Sequence, residues 1–129
     1  MRYLFITLLI ALTGCSKSER QIASDNSIIG KWIQTEYLAD PGYGSSTWQT
    51  DNTGNSYIIF NKDSSAESSG IPYFGELKKY HILSDSTLTL EYANGIMFPR
   101  LYKIENNTLT LMGGCIEACG SKYRKTPTM

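Results

Sequence analysis

The chain has 129 residues, and its 12 lysines and arginines balance its 12 aspartates and glutamates. The charges are scattered singly and form no basic stripe, which argues against nucleic acid as a partner. The length fits one domain, and nine tyrosines together with frequent serine, threonine and turn residues favour β structure.

The N-terminus has the pattern of a cleaved targeting segment. Arg2 precedes an apolar run at 3–12, which is about half of the roughly 20 residues that a membrane-spanning helix needs. Such a run is typical of a signal peptide. The sequence Leu-Thr-Gly-Cys at 12–15 resembles the lipobox of bacterial lipoproteins, which implies cleavage of residues 1–14 and a lipid on Cys15. An ordinary secretory signal followed by a stray cysteine is the alternative.

The residues after Cys15 predict how the domain is held. Two or more acyl chains on a mature N-terminus anchor a protein stably. Ser16 stands where an aspartate would favour retention at the inner membrane, so the resemblance implies the outer membrane of the cell envelope. The polar segment 15–27 predicts a flexible tether with a reach of roughly 20 Å. Residues 28–129 remain for the folded domain, which we expect to be a monomer.

Short strands follow one another through this domain. Apolar residues alternate along them, as in strands with one buried face. Asn94 and Gly95 predict a type I′ hairpin turn, because that turn needs positive φ at both central residues. Trp48 lies in the polar stretch 39–56, where a short extra strand is an option. The eight predicted strands lie at about 30–38, 57–60, 65–69, 76–83, 87–92, 96–104, 108–112 and 121–126.

Neighbour-to-neighbour connections between these strands predict the fold class. The expected fold is all-β, an antiparallel up-and-down β-barrel of about eight strands, since closure removes exposed strand edges. An open meander or a sandwich is the alternative. An eight-stranded barrel has an interior that side chains just fill or that holds one small ligand.

The first strand carries a motif that points to a family. Gly-Lys-Trp at 30–32 resembles the Gly-x-Trp motif of the lipocalins. Phe-Asn-Lys-Asp at 60–63, the Leu-Thr-Leu hairpins and a late cysteine pair before a basic final strand extend this resemblance over 28–125. Together they resemble the small lipocalin-like lipoproteins of Bacteroidetes. The resemblance implies a lipocalin-like barrel.

The same resemblance implies how one end of the barrel closes. In lipocalins the motif tryptophan closes the end, and an arginine of the last strand packs across it. Trp32 is then the barrel plug and Arg124 the residue that stacks on it, with Arg100 as the second candidate. A guanidinium over an indole contributes about 0.5–2 kcal/mol.

Two classes of binding function follow from a barrel of this size. The first is a pocket for a small hydrophobic ligand, with a packed core and no ligand as the alternative. The second is binding of an envelope protein, for example as an inhibitor of a wall-degrading enzyme, through Tyr43 and Trp48. An exposed Trp48 would favour the interface, and a Trp48 over the barrel mouth would favour a ligand gate. The residues expected to face inward are Trp32, Phe60, Tyr80, Ile82, Leu88, Leu90, Tyr102, Ile104, Leu109 and Leu111.

The remaining reactive residues predict no catalysis. Cys115 and Cys119 are expected to form a disulfide in an oxidising compartment, and the small loop limits its entropic gain to about 2 kcal/mol. A zinc site needs about four ligands, and His81, the one histidine, is expected to point outward. We therefore predict no enzyme activity, no cofactor and no metal.

Overall fold

The computed structural model describes residues 27–39, 44, 46–69, 75–113 and 119–127. The signal peptide, Cys15, the tether before Ser27, Tyr43 and Cys115 lie outside the described residues. The described part contains strands and no helix. The strands are β1 (Gly30–Ala39), β2 (Thr47–Thr50), β3 (Tyr57–Phe60), β4 (Ala66–Ser69), β5 (Leu77–Ile82), β6 (Thr87–Tyr92), β7 (Met97–Glu105), β8 (Thr108–Met112) and β9 (Gly120–Lys125).

All nine strands belong to one antiparallel sheet with the order β4-β3-β1-β9-β8-β7-β6-β5, and β2 pairs with β1 beside this path. β2 and β3 share one edge of β1. Glu36 pairs with Thr50 in the second half of β1, and Gly30 pairs with Phe60 in the first half. β2 and β3 therefore lie end to end and count as one strand of the barrel. The barrel then has eight strands, and each strand pairs with or lies beside the next one along the chain.

The two ends of this sheet meet at β4 and β5. Ser65 forms an isolated antiparallel bridge with Lys79, and the backbone N–H of Tyr80 donates to the carbonyl of Ser64 at 3.0 Å. The sheet is thus a nearly closed barrel. The predicted all-β, eight-stranded up-and-down barrel is confirmed, and the open meander and the sandwich are excluded. The optional short strand at Trp48 is β2.

The barrel has two different ends, which we call the turn end and the loop end. At the turn end lie the tight connections 61–65, 83–86 and 106–107, together with the start of β1. At the loop end lie the connection 93–96, the ends of β1, β4 and β8, and the starts of β5 and β9. The segment 27–29, which leads into β1, consequently reaches the barrel at its turn end.

One turn differs from the prediction. Gly95 has a φ of 80°, but Asn94 is not among the described residues with positive φ, so this hairpin does not have a type I′ turn. The side-chain oxygen of Asn94 accepts a hydrogen bond from the backbone N–H of Ile96 instead. Both central residues have positive φ in the next hairpin, where Asn106 is at 49° and Asn107 at 59°. Asparagine tolerates the left-handed conformation, so the pair suits the two-residue turn.

The barrel interior is an apolar core. Its side chains come from alternate residues of the strands, as the pleat requires. Ile28, Phe98, Tyr102 and Ile104 pack against it and are partly buried. The buried members are Trp32, Ile58, Phe60, Ala66, Leu77, Tyr80, Leu88, Leu90, Tyr92, Leu109, Leu111 and Tyr123.

Candidate functional site at the loop end of the barrel

Trp32 is completely buried at the turn end. Its indole N–H donates to the carbonyl of Ile28 at 2.7 Å. The ammonium of Lys125 lies 5.2 Å from the ring centroid and donates to the carbonyl of Ser27 at 2.8 Å. The segment that leads into β1 therefore crosses the turn end and is fixed there from both sides.

The prediction that Arg124 stacks on Trp32 is wrong. Trp32 pairs with Lys125, whereas Ile33 pairs with Arg124, and directly paired residues share one face of a sheet. Lys125 accordingly takes the inward side, and Arg124 is exposed on the outer wall. The final strand has basic residues on both faces, so a shift of one residue exchanges the two candidates.

Arg100, the second candidate, is on the inner wall near the loop end. It pairs with the completely buried Leu88, and it lies between Phe98 and Tyr102, which both pack against the core. The strand alternation therefore places a guanidinium on the apolar face of β7. Arg100 belongs to this aromatic wall rather than to the plug at Trp32.

The polar groups around Arg100 carry no negative charge, and one of them is the phenol of Tyr92, which is hydrogen-bonded to the Arg100 side chain. The Nη1 of Arg100 lies 3.7 Å from Sγ of Cys119. Its Nε is buried and has no hydrogen-bond partner, and none of the ion pairs among the described residues includes it. A buried charge is normally paired, because an unpaired one loses its hydration without compensation.

Two tyrosines share this environment. Burial raises the pKa of both Tyr92 and Tyr123, and the charge of Arg100 partly opposes that rise. Both phenols are therefore neutral hydroxyls at neutral pH. The ring of Tyr92 meets that of Phe98 edge to face, with 6.0 Å between the centroids. The inner wall at the loop end thus combines one guanidinium, neutral phenols and an aromatic surface.

Side chains fill the turn-end half of the barrel. Phe60 and Leu88 are completely buried, and Leu90 and Tyr80 nearly so. The Tyr80 ring meets Phe60 edge to face, with 4.9 Å between centroids, and its hydroxyl donates to the carbonyl of Asn61 at 2.8 Å. Near the loop end, Leu77, Tyr92 and Leu111 are also buried, and Phe98 beside them is only partly buried.

The residues predicted to face a ligand differ in burial. Tyr102 and Ile104 are partly buried against the core. Ile82 is predicted to face inward, but the residue is 47% exposed. It pairs with Leu88 and so keeps the inward direction, but β5 ends there and the residue lies at the rim of the turn end.

Arg100, Tyr92 and Phe98 were absent from the predicted set of inward ligand-facing residues. The sequence contains the signal that places two of them, because Phe98, Arg100 and Tyr102 alternate on β7. Choosing only apolar and aromatic residues as inward-facing omits the arginine. A polar residue on a buried face is nevertheless more informative than an apolar one.

The cysteines and the histidine form no metal site among the described residues. Cys119 is disulfide-bonded, and its predicted partner Cys115 lies outside the described residues. His81 is exposed, and its Nε2 lies 2.9 Å from a carboxylate oxygen of Glu91 on the outer wall. The described residues hold no group of three or more histidine, cysteine or acidic side chains that could bind a metal.

Trp48 lies on the outer wall and does not cap the loop end. The ammonium of Lys122 is 4.1 Å from its ring centroid and also forms an ion pair with Glu36. The Trp48 side chain is 37% exposed. Beside it is an open polar groove of about 410 Å³, lined in part by Lys122 and Arg124.

Comparison with known proteins returned no relative: no family model, no curated protein and no solved structure matches this chain. Within the described part of the chain, no helix has the length and apolarity to span a bilayer.

Proposed function

We propose that this protein is a lipid-anchored lipoprotein of the cell envelope whose barrel binds a small hydrophobic ligand at the loop end. One observation carries the ligand proposal, namely the partly buried inner wall that Phe98 and Arg100 form beside the apolar core. The turn end is filled, with Trp32 completely buried beneath the incoming chain. The loop end has a partly buried aromatic inner wall at Phe98. Mouths of β-barrels are common sites for small ligands.

The position of the tether supports this orientation. Ser27 and Ile28 accept hydrogen bonds at the turn end, so a lipid on Cys15 would draw that end toward the membrane. A segment of this length reaches roughly 20 Å. The loop end then faces away from the bilayer, where ligands from the aqueous compartment can reach it. We place the protein at the outer membrane because Ser16 follows Cys15.

A neutral fluorophore tests the ligand site without using any charge. We expect the chain 16–129, which keeps every core residue, to bind 1-aminoanthracene with saturable fluorescence enhancement and one site per chain. Phe98→Ala should weaken binding about tenfold, because it removes the aromatic wall. Leu101→Ala is the matched control, since Leu101 is on the same strand but 59% exposed. Absence of saturable binding in the folded chain would reject the ligand proposal.

Metabolic labelling tests the anchor separately. The full chain expressed in a bacterium with an outer membrane should incorporate an alkyne-tagged palmitate and fractionate with that membrane. Cys15→Ser should remove both the label and the membrane association. Labelling that persists in Cys15→Ser would show that the cysteine is not the acylated residue.

The second candidate function is binding of an envelope protein through the outer wall. The specific observation is Trp48, which is partly exposed and stacked on Lys122 rather than folded into the core. An aromatic residue held in this way can anchor an interface. If the chain inhibits a wall-degrading enzyme, Trp48→Ala should abolish inhibition while Phe98→Ala leaves it intact. The reverse pattern would assign the activity to the loop end.

A further inference from the structure

We propose that Arg100 holds the negative charge of the ligand, so that the loop end is a site for a small monocarboxylate with an apolar body. This inference rests on the proposed function, because it names the class of ligand for the same site. It is carried by the position of Arg100 on the inner wall and by its buried Nε, which has no hydrogen-bond partner.

The geometry of Arg100 leaves a donor without an acceptor. Its Nε is buried and unpartnered, its Nη1 lies 3.7 Å from the sulfur of Cys119, and its side chain is hydrogen-bonded to the neutral phenol of Tyr92. Sulfur is a poor acceptor compared with a carboxylate oxygen. A carboxylate that approached from the loop end could accept two hydrogen bonds from the planar fork of a guanidinium. Such a ligand would satisfy both the orphaned donor and the charge.

The charge balance favours a single negative charge. Arg100 contributes one positive charge, and the nearby phenols of Tyr92 and Tyr123 are neutral at neutral pH because burial raises their pKa. Lys125 is engaged at the turn end with Ser27 and Trp32. A monocarboxylate neutralises one guanidinium, whereas a phosphate dianion would leave an excess charge in an apolar interior.

The surroundings of Arg100 favour a short apolar body. Phe98 and Tyr92 form an aromatic wall beside it. Leu88, which pairs directly with Arg100, and Phe60 are completely buried and occupy the interior. A filled interior favours a short apolar body over a long acyl chain.

Octanoate and 1-octanol are the probes, because they share the apolar body and differ in charge. We expect the chain 16–129 to bind octanoate at least tenfold more tightly than 1-octanol at pH 7. Arg100→Met should weaken octanoate binding roughly 10- to 100-fold, the range expected for hydrogen bonds to a charged group. Its affinity for 1-octanol should stay within about twofold. Arg124→Met is the matched control, since that arginine is exposed on the outer wall.

Carbon-13 NMR of carboxyl-labelled octanoate gives a readout that does not depend on a stable variant. The pKa of the bound carboxyl should lie about one unit below that of free octanoate, because a guanidinium stabilises the carboxylate. In Arg100→Lys, which keeps the charge, part of this shift should remain.

The outcomes separate the inference from the function on which it rests. Equal affinities for octanoate and 1-octanol, together with an unchanged affinity in Arg100→Met, would overturn the role of Arg100 while leaving the ligand site intact. A wild-type chain that binds 1-aminoanthracene but not octanoate would do the same. A folded chain that binds none of the three probes would overturn both proposals.

Discussion

The ammonium of Lys125 lies 5.2 Å from the centre of the Trp32 indole and donates to the carbonyl of Ser27 at 2.8 Å. One side chain thereby connects the first strand, the last strand and the segment that leads into the barrel. The contact closes the circle of strands where β1 and β9 meet, and it fixes the segment 27–29 at the turn end of the barrel.

Replacement of Lys125 should therefore destabilise the barrel more than replacement of its neighbour. We expect Lys125→Met to lower the free energy of unfolding by about 1–2 kcal/mol, from the lost cation–π contact and hydrogen bond. Arg124→Met should cost under about 0.5 kcal/mol because its side chain is exposed. Urea denaturation of both variants measures the difference. A larger loss of unfolding free energy in Arg124→Met than in Lys125→Met would indicate that Arg124, and not Lys125, stabilises the barrel at Trp32.

Gly30, the glycine of the Gly-Lys-Trp motif, should not tolerate a side chain. Its φ is +129°, and a Cβ there would meet Cε of Lys125 at 3.2 Å. We expect Gly30→Ala to cost about 2–3 kcal/mol, since this backbone conformation is restricted to glycine.

Gly54→Ala is the control for Gly30→Ala. Gly54 also has positive φ, at +64°, but nothing lies within 4 Å of its Cβ position. That change should cost about 1 kcal/mol. Equal losses of unfolding free energy in thermal or urea denaturation would show that contact with Lys125 adds nothing.

Two phenylalanines on the inner wall should behave differently. Phe60 is completely buried and packs edge to face on Tyr80, so Phe60→Ala should lower the free energy of unfolding by about 3–5 kcal/mol. Phe98 is only partly buried near the loop end, and Phe98→Ala should cost about 1–2 kcal/mol. Differential scanning calorimetry of both variants tests this order. Equal destabilisation would mean that the loop end is packed as tightly as the turn end.

Asp63 should make stability depend on pH in acid. A hydrogen bond from the Ser65 hydroxyl, followed by one from its backbone N–H, lowers the pKa of Asp63 below 3.8. A carboxyl with a lowered pKa in the folded state stabilises the fold above its unfolded pKa, and this contribution is lost as pH falls through the folded pKa. Asp63→Asn should flatten the dependence of the urea midpoint on pH between about pH 4 and pH 2.

Asp85→Asn is the matched control for Asp63→Asn, because Asp85 lies in an exposed turn at the same end of the barrel. It should leave the slope of the urea midpoint against pH as it is in the wild type. Identical slopes in the wild type and in Asp63→Asn would contradict the role of Asp63 in the 61–65 turn.

The sequence predicts the strand positions well because an inward face alternates with an outward face. Leu88 and Leu90 on β6, and Leu109 and Leu111 on β8, have this period and are all buried. Register follows from it, because a slip of one residue would turn these leucines to solvent. β2 has no such pattern, since all four of its residues are exposed, and its pairing with β1 depends on the tertiary structure.

The candidate site was harder to predict. The choice between Arg124 and Lys125 depends on one residue of register in a strand that is basic on both faces. The resemblance to lipocalins makes Arg100 a candidate for the plug and not for the inner wall, although the alternation of β7 gives its direction. Its missing acceptor is a property of the assembled barrel, so the anionic ligand can be inferred only from the structure.

The most direct test of the ligand site is a set of intermolecular NOEs between octanoate and the chain 16–129. We predict cross-peaks from the octanoate methylene protons to the ring protons of Phe98 and Tyr92 on the inner wall of the loop end. Cross-peaks confined to Met97 and Leu101, which are exposed on the outer wall, or no cross-peaks at saturating octanoate, would contradict it.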